Sequence, residues 1–221
     1  MFTRIAGRYD LMNSLMTAGR HHARRLATAR AALAAPPGAV LDLATGTADL
    51  ALALRALAPE RLVLGADFSE GMLRHGRAKV AAAAGPRLPL LAADALRLPF
   101  ADGAFASVVS AFLLRNLEDL GHGLTEMRRV TRAGGRVVTL DIVEPSAPVW
   151  SAVFGLYFHR VVPAIGALIA GDRQAYTYLP QSVARFVTPE ELARRMTAVG
   201  LRDVRYRTMG LGTVALHIGI V

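Results

Sequence analysis

The sequence predicts an α/β fold: a doubly wound, seven-stranded, mostly parallel sheet with helices on both faces. Three observations predict it. Short apolar runs alternate with Ala/Leu-rich helical stretches from Val40 to Val143. Two of those runs end in a carboxylate, Asp42 and Asp67, 25 positions apart. A turn of small residues, Ala44-Thr45-Gly46-Thr47-Ala48, joins the first run to a helix. Strand, tight turn and helix N-terminus form the opening unit of a nucleotide-type binding fold, and the turn must be small for its backbone to approach a ligand.

The elements follow in order. Residues 1–35 read as a helical N-terminal cap, ended by Pro36-Pro37-Gly38. Val40 to Leu43 is the first strand, and a helix runs from about Asp49 to Leu57. Arg61 to Asp67 is the second strand, and Ser69 caps a helix that reaches about Ala83. Leu88–Ala92 and Ala106–Phe112 are strands three and four, with a helix from about Leu120 to Thr131 behind them. Ala133-Gly134-Gly135-Arg136 reads as a turn before a fifth strand, Val137 to Val143. The alternation then stops, and residues 145–187 read as a helical lid. Val149 to Ala170 is apolar and 22 residues long, but His159, Arg160 and Pro163 sit inside it and argue against a lipid-facing span. Thr188-Pro189-Glu190-Glu191 is a strong helix start, and two strands near 204–208 and 213–220 close the sheet antiparallel.

Composition sets limits. The 221 residues are 53% apolar, enough for one domain with its own core. The absence of cysteine excludes a disulfide framework, a thiol nucleophile and a thiolate metal site. The polar, arginine-bearing N-terminus has no secretory pattern, so a cytoplasmic location is expected. The net charge is +9, almost all of it arginine, with Lys79 the only lysine. Arg4, Arg8, Arg20, Arg24, Arg25 and Arg30 face a single acid, Asp10, in the first thirty residues. That bias suits an anionic surface. With few aromatics and no basic-aromatic interleaving, the membrane's inner face is favoured over nucleic acid.

The turn after the first strand has one glycine where a dinucleotide fingerprint needs three, and two carboxylates, Asp42 and Asp49, flank it. Negative charge suits a cationic ligand such as a sulfonium better than a diphosphate. An acid at the end of the second strand, Asp67, suits a ribose diol, and Asp94 after the third strand suits an exocyclic amine. The same pattern also fits an ordinary strand-turn-helix of another α/β protein.

Longer blocks narrow this. Phe2 to Asn13, Leu41 to Leu50, Asp67 to Leu73, Leu98-Pro99-Phe100, Leu114-Arg115-Asn116, Tyr176 to Ser182 and Gly212 to His217 together resemble the ubiquinone/menaquinone biosynthesis C-methyltransferase family. The resemblance implies a Rossmann-like class I methyltransferase fold and S-adenosylmethionine (SAM) as cofactor. It implies C-methylation of a polyprenyl quinol, the demethylmenaquinol-to-menaquinol step. A soluble aromatic or polyketide acceptor is the alternative. The cofactor contacts it implies are Asp42, Gly46, Thr47, Asp67, Phe68, Met72, Asp94, Ala95 and Ala111. Arg115, Asn116 and Tyr9 are the candidates for catalysis. Arg115 would stabilise a developing phenolate or acidify a water; its other reading is a salt bridge to Asp94 or Asp141. Asp141, His159 and His217 are reserves. No metal is required, and His21 and His22 read as surface residues. Peripheral membrane contact and a homodimer are expectations for the assembly. Ala111 and Leu113 stand where the family usually has serine and glycine, which bears on the acceptor.

Overall fold

The structure, a computed structural model, describes residues 21–145 and 180–221, with Ala147, Trp150 and Gly155. The expected lid over 145–187 and the first part of the expected cap therefore lie mostly outside the described residues. The elements are α1 (His21–Leu33), β1 (Val40–Leu43), α2 (Asp49–Leu57), β2 (Val63–Asp67), α3 (Glu70–Ala82) and β3 (Leu90–Ala92). They continue with β4 (Phe105–Ala111), a 3₁₀ turn (Leu114–Asn116), α4 (Leu120–Val130), β5 (Thr131–Ile142), α5 (Pro189–Ala198), β6 (Arg202–Met209) and β7 (Val214–Ile220).

The seven strands form one sheet in the order β3-β2-β1-β4-β5-β7-β6. β1 to β5 run parallel, and β7 pairs antiparallel with both β5 and β6. The order reverses between β1 and β4, so the carboxyl ends of β1, β2 and β4 open a crevice at the switch point.

The period-two alternation of the strands divides the core between two faces. Val40, Val63, Val109 and Val138 pack with Ala29 and Ala32 of α1 and Leu50 and Leu54 of α2. Leu41, Leu43, Val108 and Val137 pack on the other side with Leu124 and Met127 of α4 and Leu192 and Met196 of α5. The helices start where side chains cap them: Ser69 accepts from Met72 N, Asp119 from His122 N, and Thr188 from Glu191 N with Pro189 behind it.

Most boundaries move by one or two residues from expectation, and one moves further. The Ala133-Gly134-Gly135 stretch lies inside β5, which starts at Thr131. The register slips there, with Phe105 opposite Thr131 but Ser107 opposite Arg136. A bulge absorbs the extra residues. Gly135 is required, because a Cβ would sit 2.7 Å from the Ala106 carbonyl oxygen. The outer strand β6 is protected differently: Arg202, Asp203, Arg205 and Arg207 are all exposed and oppose edge-to-edge pairing. Among the described residues no helix is long and apolar enough to cross a membrane.

Candidate active site

The turn after β1 takes an unusual path. Ala44, Gly46 and Ala48 have φ of 58°, 57° and 67°, so three alternate residues are left-handed. Only the glycine adopts this without steric cost, which for L residues is roughly 1–2 kcal/mol. Asp42 braces the turn from behind. It is 1% exposed, accepts the Thr45 hydroxyl at 2.6 Å, and accepts the Ala51 N–H from the first turn of α2. Burial pushes its carboxyl up to about 7; the nearby Asp67 charge adds to the rise, while the Thr45 and Ala51 bonds and Arg25 oppose it.

Asp67 lies at the end of β2 and ties two turns together. Its Oδ2 accepts from Gly46 N at 2.8 Å and its Oδ1 from Ser69 N at 2.7 Å. Burial raises its carboxyl above the usual range, and the two N–H bonds hold it back. Phe68, next to it, is 81% exposed, a large ring displayed at the mouth of the crevice. Met72 is buried one turn into α3. Gly76 lets α3 approach the turn, since a Cβ there would lie 3.3 Å from the Gly46 carbonyl oxygen.

Asp49 does not contribute an open negative charge. Arg25 and Lys79 both pair with it, Lys79 at 2.6 Å. Lys79 also donates to the Thr47 hydroxyl at 3.1 Å, so the only lysine joins α3 to the start of α2. Among the described residues, Asp42 and Asp67 are the buried or half-buried crevice acids that no basic side chain pairs directly. Past β3, Asp94 is exposed and accepts from Leu96 N at 2.9 Å, which shapes the loop carrying the buried Ala95.

At the end of β4, Ala111 is half-buried and Phe112 is left-handed at φ 65°. The Phe112 carbonyl thereby receives both Arg115 Nη1 at 2.8 Å and Asn116 Nδ2 at 2.9 Å. Of the two acids that could pair with Arg115, Asp141 does so, Nη1 to Oδ1 at 2.6 Å, with side chains only 7% and 1% exposed. The guanidinium also lies over the Phe112 ring, 5.7 Å from its centre. Its Nε is buried without a hydrogen-bond partner. The structure thus brings Arg115, Asn116, Ala111 and Asp141 together at the ends of β4 and β5. Tyr9 and His159 lie outside the described residues. His22 is exposed. Among the described residues no three His, Cys, Asp or Glu side chains assemble as a metal-ligand set.

Two features escaped sequence reasoning. One is the left-handed Phe112, which has no glycine to announce it. The other is the row behind Asp141, in which His217 stacks on Tyr206 with ring centres 5.1 Å apart. Burial lowers the His217 imidazole below its usual range, while the Pro189 carbonyl, Glu190 and Asp141 pull it up.

Comparison with known proteins identifies the family. The sequence model of the ubiE/COQ5 methyltransferase family matches residues 1–221. A demethylmenaquinone methyltransferase of Thermus thermophilus is 46% identical over 219 residues, covering 99% of each chain. One from Roseiflexus castenholzii is 44% identical over 222 residues, covering 100% of this chain and 91% of its own. Among solved structures, a SAM-dependent methyltransferase from Aquifex aeolicus superposes with a TM-score of 0.61 at 18% identity, covering 83% of this chain and 82% of its own. That likeness concerns the fold. With every residue matched by the family model and full-length relatives at 44% and 46% identity, the chain belongs to the ubiE/COQ5 methyltransferase family.

Proposed function

We propose that this chain methylates a ring carbon of a polyprenyl quinol of the demethylmenaquinol type, with SAM as the methyl donor. The crevice fits the donor. A carboxylate held at the end of β2 by two N–H groups, as Asp67 is, can accept both hydroxyl protons of a ribose. Phe68 offers a ring face for the adenine, and Asp94 with Ala95 borders its edge. Asp67, joined by Asp42 where that buried carboxyl is ionised, supplies the negative field that a sulfonium favours. When bound, SAM provides an electrophilic methyl group; the chain's own residues do the rest.

The observation that carries the acceptor reading is the fixed guanidinium of Arg115. Ring-carbon methylation needs electron density, which ionising the neighbouring hydroxyl supplies. A buried cation held by Asp141 and the Phe112 carbonyl stabilises the resulting phenolate without reorganising at the moment of reaction. Asn116, anchored on the same carbonyl, orients the oxygen. The quinol tail requires the enzyme to meet the inner face of the membrane. Arg205 and Arg207, exposed on β6, and Leu211, 66% exposed at the β6–β7 hairpin, suit that contact.

Ala111 and Leu113 favour a second reading, a soluble aromatic acceptor in a reshaped pocket. A competition assay separates the two. The tailed quinol is expected to be turned over at least ~10-fold faster, by kcat/KM, than a tail-less phenol of the same ring. The reverse preference would replace the quinol reading.

A further inference from the structure

Among the described residues, five buried side-chain atoms have no hydrogen-bond partner: Arg61 Nη1, Ser110 Oγ, Arg115 Nε, Thr139 Oγ1 and His217 Nδ1. Four of them belong to one neighbourhood. Ser110 on β4 is in register with Thr139 on β5, and Thr139 with His217 on β7. Paired residues on adjacent strands share a face, here the one covered by α4 and α5. Asp141, two residues past Thr139, points to that face as well and carries Arg115 with it. Ser110, Thr139 and His217 are 1%, 1% and 0% exposed. A buried polar group left without a partner is destabilising. Four such groups meeting in one place form the kind of polar site that buried water occupies.

The tautomer of His217 gives the row a direction. Its Nε2 lies 2.9 Å from the Pro189 carbonyl, which can only accept, so Nε2 carries the hydrogen. In the neutral ring Nδ1 then carries the lone pair, buried and without a partner. The Ser110 and Thr139 hydroxyls can each donate and accept, and Arg115 Nε can only donate.

We propose that Ser110 Oγ, Thr139 Oγ1, Arg115 Nε and His217 Nδ1 hold buried water, and that this water takes the proton released by methylation beside the Arg115–Asp141 pair and passes it to His217. The proton's origin rests on the quinol reading above; the water site does not. Methyl transfer breaks the donor's carbon–sulfur bond and forms a carbon–carbon bond, and the methyl replaces one ring hydrogen. One proton is therefore released per turnover, and it ends on Nδ1 as an imidazolium whose Nε2–H stays on Pro189. Charged and titratable groups face that ring from each side: Asp141 on β5 with its partner Arg115, Tyr206 stacked from β6, and Glu190 at the start of α5, which accepts the Tyr206 hydroxyl. His217 acts through water, so it is a proton-accepting residue beside the site.

The test has two arms on the full-length protein. In the first, a crystal structure at atomic resolution and imidazole ¹⁵N shifts are expected to show water on Thr139 Oγ1 and His217 Nδ1, with Nδ1 unprotonated at neutral pH. A dry row, or a hydrogen on Nδ1, overturns the site. In the second, kcat of the wild type is expected to rise with pH through the His217 titration, since only the neutral ring accepts a proton. His217→Gln should lose that limb and about tenfold or more in kcat, with both KM values within about twofold. Thr139→Val keeps its shape, should fold normally, and should lower kcat while keeping the limb. Unchanged kcat and pH limb in the folded variants overturn the relay. A hydrated row without quinol turnover would instead mark failure of the quinol reading.

Discussion

Arg115→Ala lowers kcat for methyl transfer by about 10²–10³-fold, with SAM affinity within about twofold of wild type. The effect is expected to be large because, in the proposed reaction, the guanidinium is the fixed positive charge beside the acceptor and favours the phenolate of the transition state over the neutral quinol. The substitution also strips Asp141, 1% exposed, of its partner. Leaving a buried charge unpaired costs about 3–5 kcal/mol, so Tm falls too. Arg115→Lys separates the two effects. Lysine keeps a charge for Asp141, whose bond, like that to the Phe112 carbonyl, comes from Nη1 alone, but it lacks the further planar N–H donors that the guanidinium can present to an acceptor. We expect Arg115→Lys to recover most of the thermal stability and little of kcat. Thermal unfolding beside steady-state kinetics checks this. An Arg115→Lys enzyme with wild-type kcat would reduce Arg115 to a structural cation.

Asp67→Asn weakens SAM binding by roughly 30–100-fold, read by titration calorimetry, because an acceptor of two hydroxyl protons becomes half a donor. The amide also has to present an N–H where Gly46 or Ser69 now donates. Asp49→Asn is the control. Its charge is already committed to Arg25 and Lys79, so its Kd is expected to change by less than about threefold. Equal losses in the two variants would mean that bulk negative charge, and not the ribose position, recognises the donor.

The sequence disclosed the fold through its alternation. Val40, Leu41 and Leu43 put apolar side chains on both faces, as a central parallel strand requires, and the acids at 42 and 67 lie near strand ends. Helix starts at Ser69 and Thr188 were legible because their caps act within three residues. The site was legible where its residues are contiguous, as in Leu114-Arg115-Asn116. What stayed hidden depends on contacts between distant strands. Asp49 reads as a ligand charge until Arg25 and Lys79 are seen to reach it. Asp141 was one of two candidate partners for Arg115, and only the register of β5 beside β4 decides between them. The Ala133-Gly134-Gly135 stretch reads as a turn because its glycines are local, whereas the Ala106 carbonyl that requires Gly135 lies about thirty residues earlier.

Methyl transfer from SAM to a reduced ring can be followed by offering a short-tailed demethylmenaquinol and a methyl-labelled donor, with the oxidised quinone as control. Product mass is expected to rise by one labelled methyl with the quinol and not to change with the quinone, because only the quinol can ionise to a phenolate. Equal labelling of the quinone, or no labelling of the quinol by protein shown to bind SAM, would contradict this expectation.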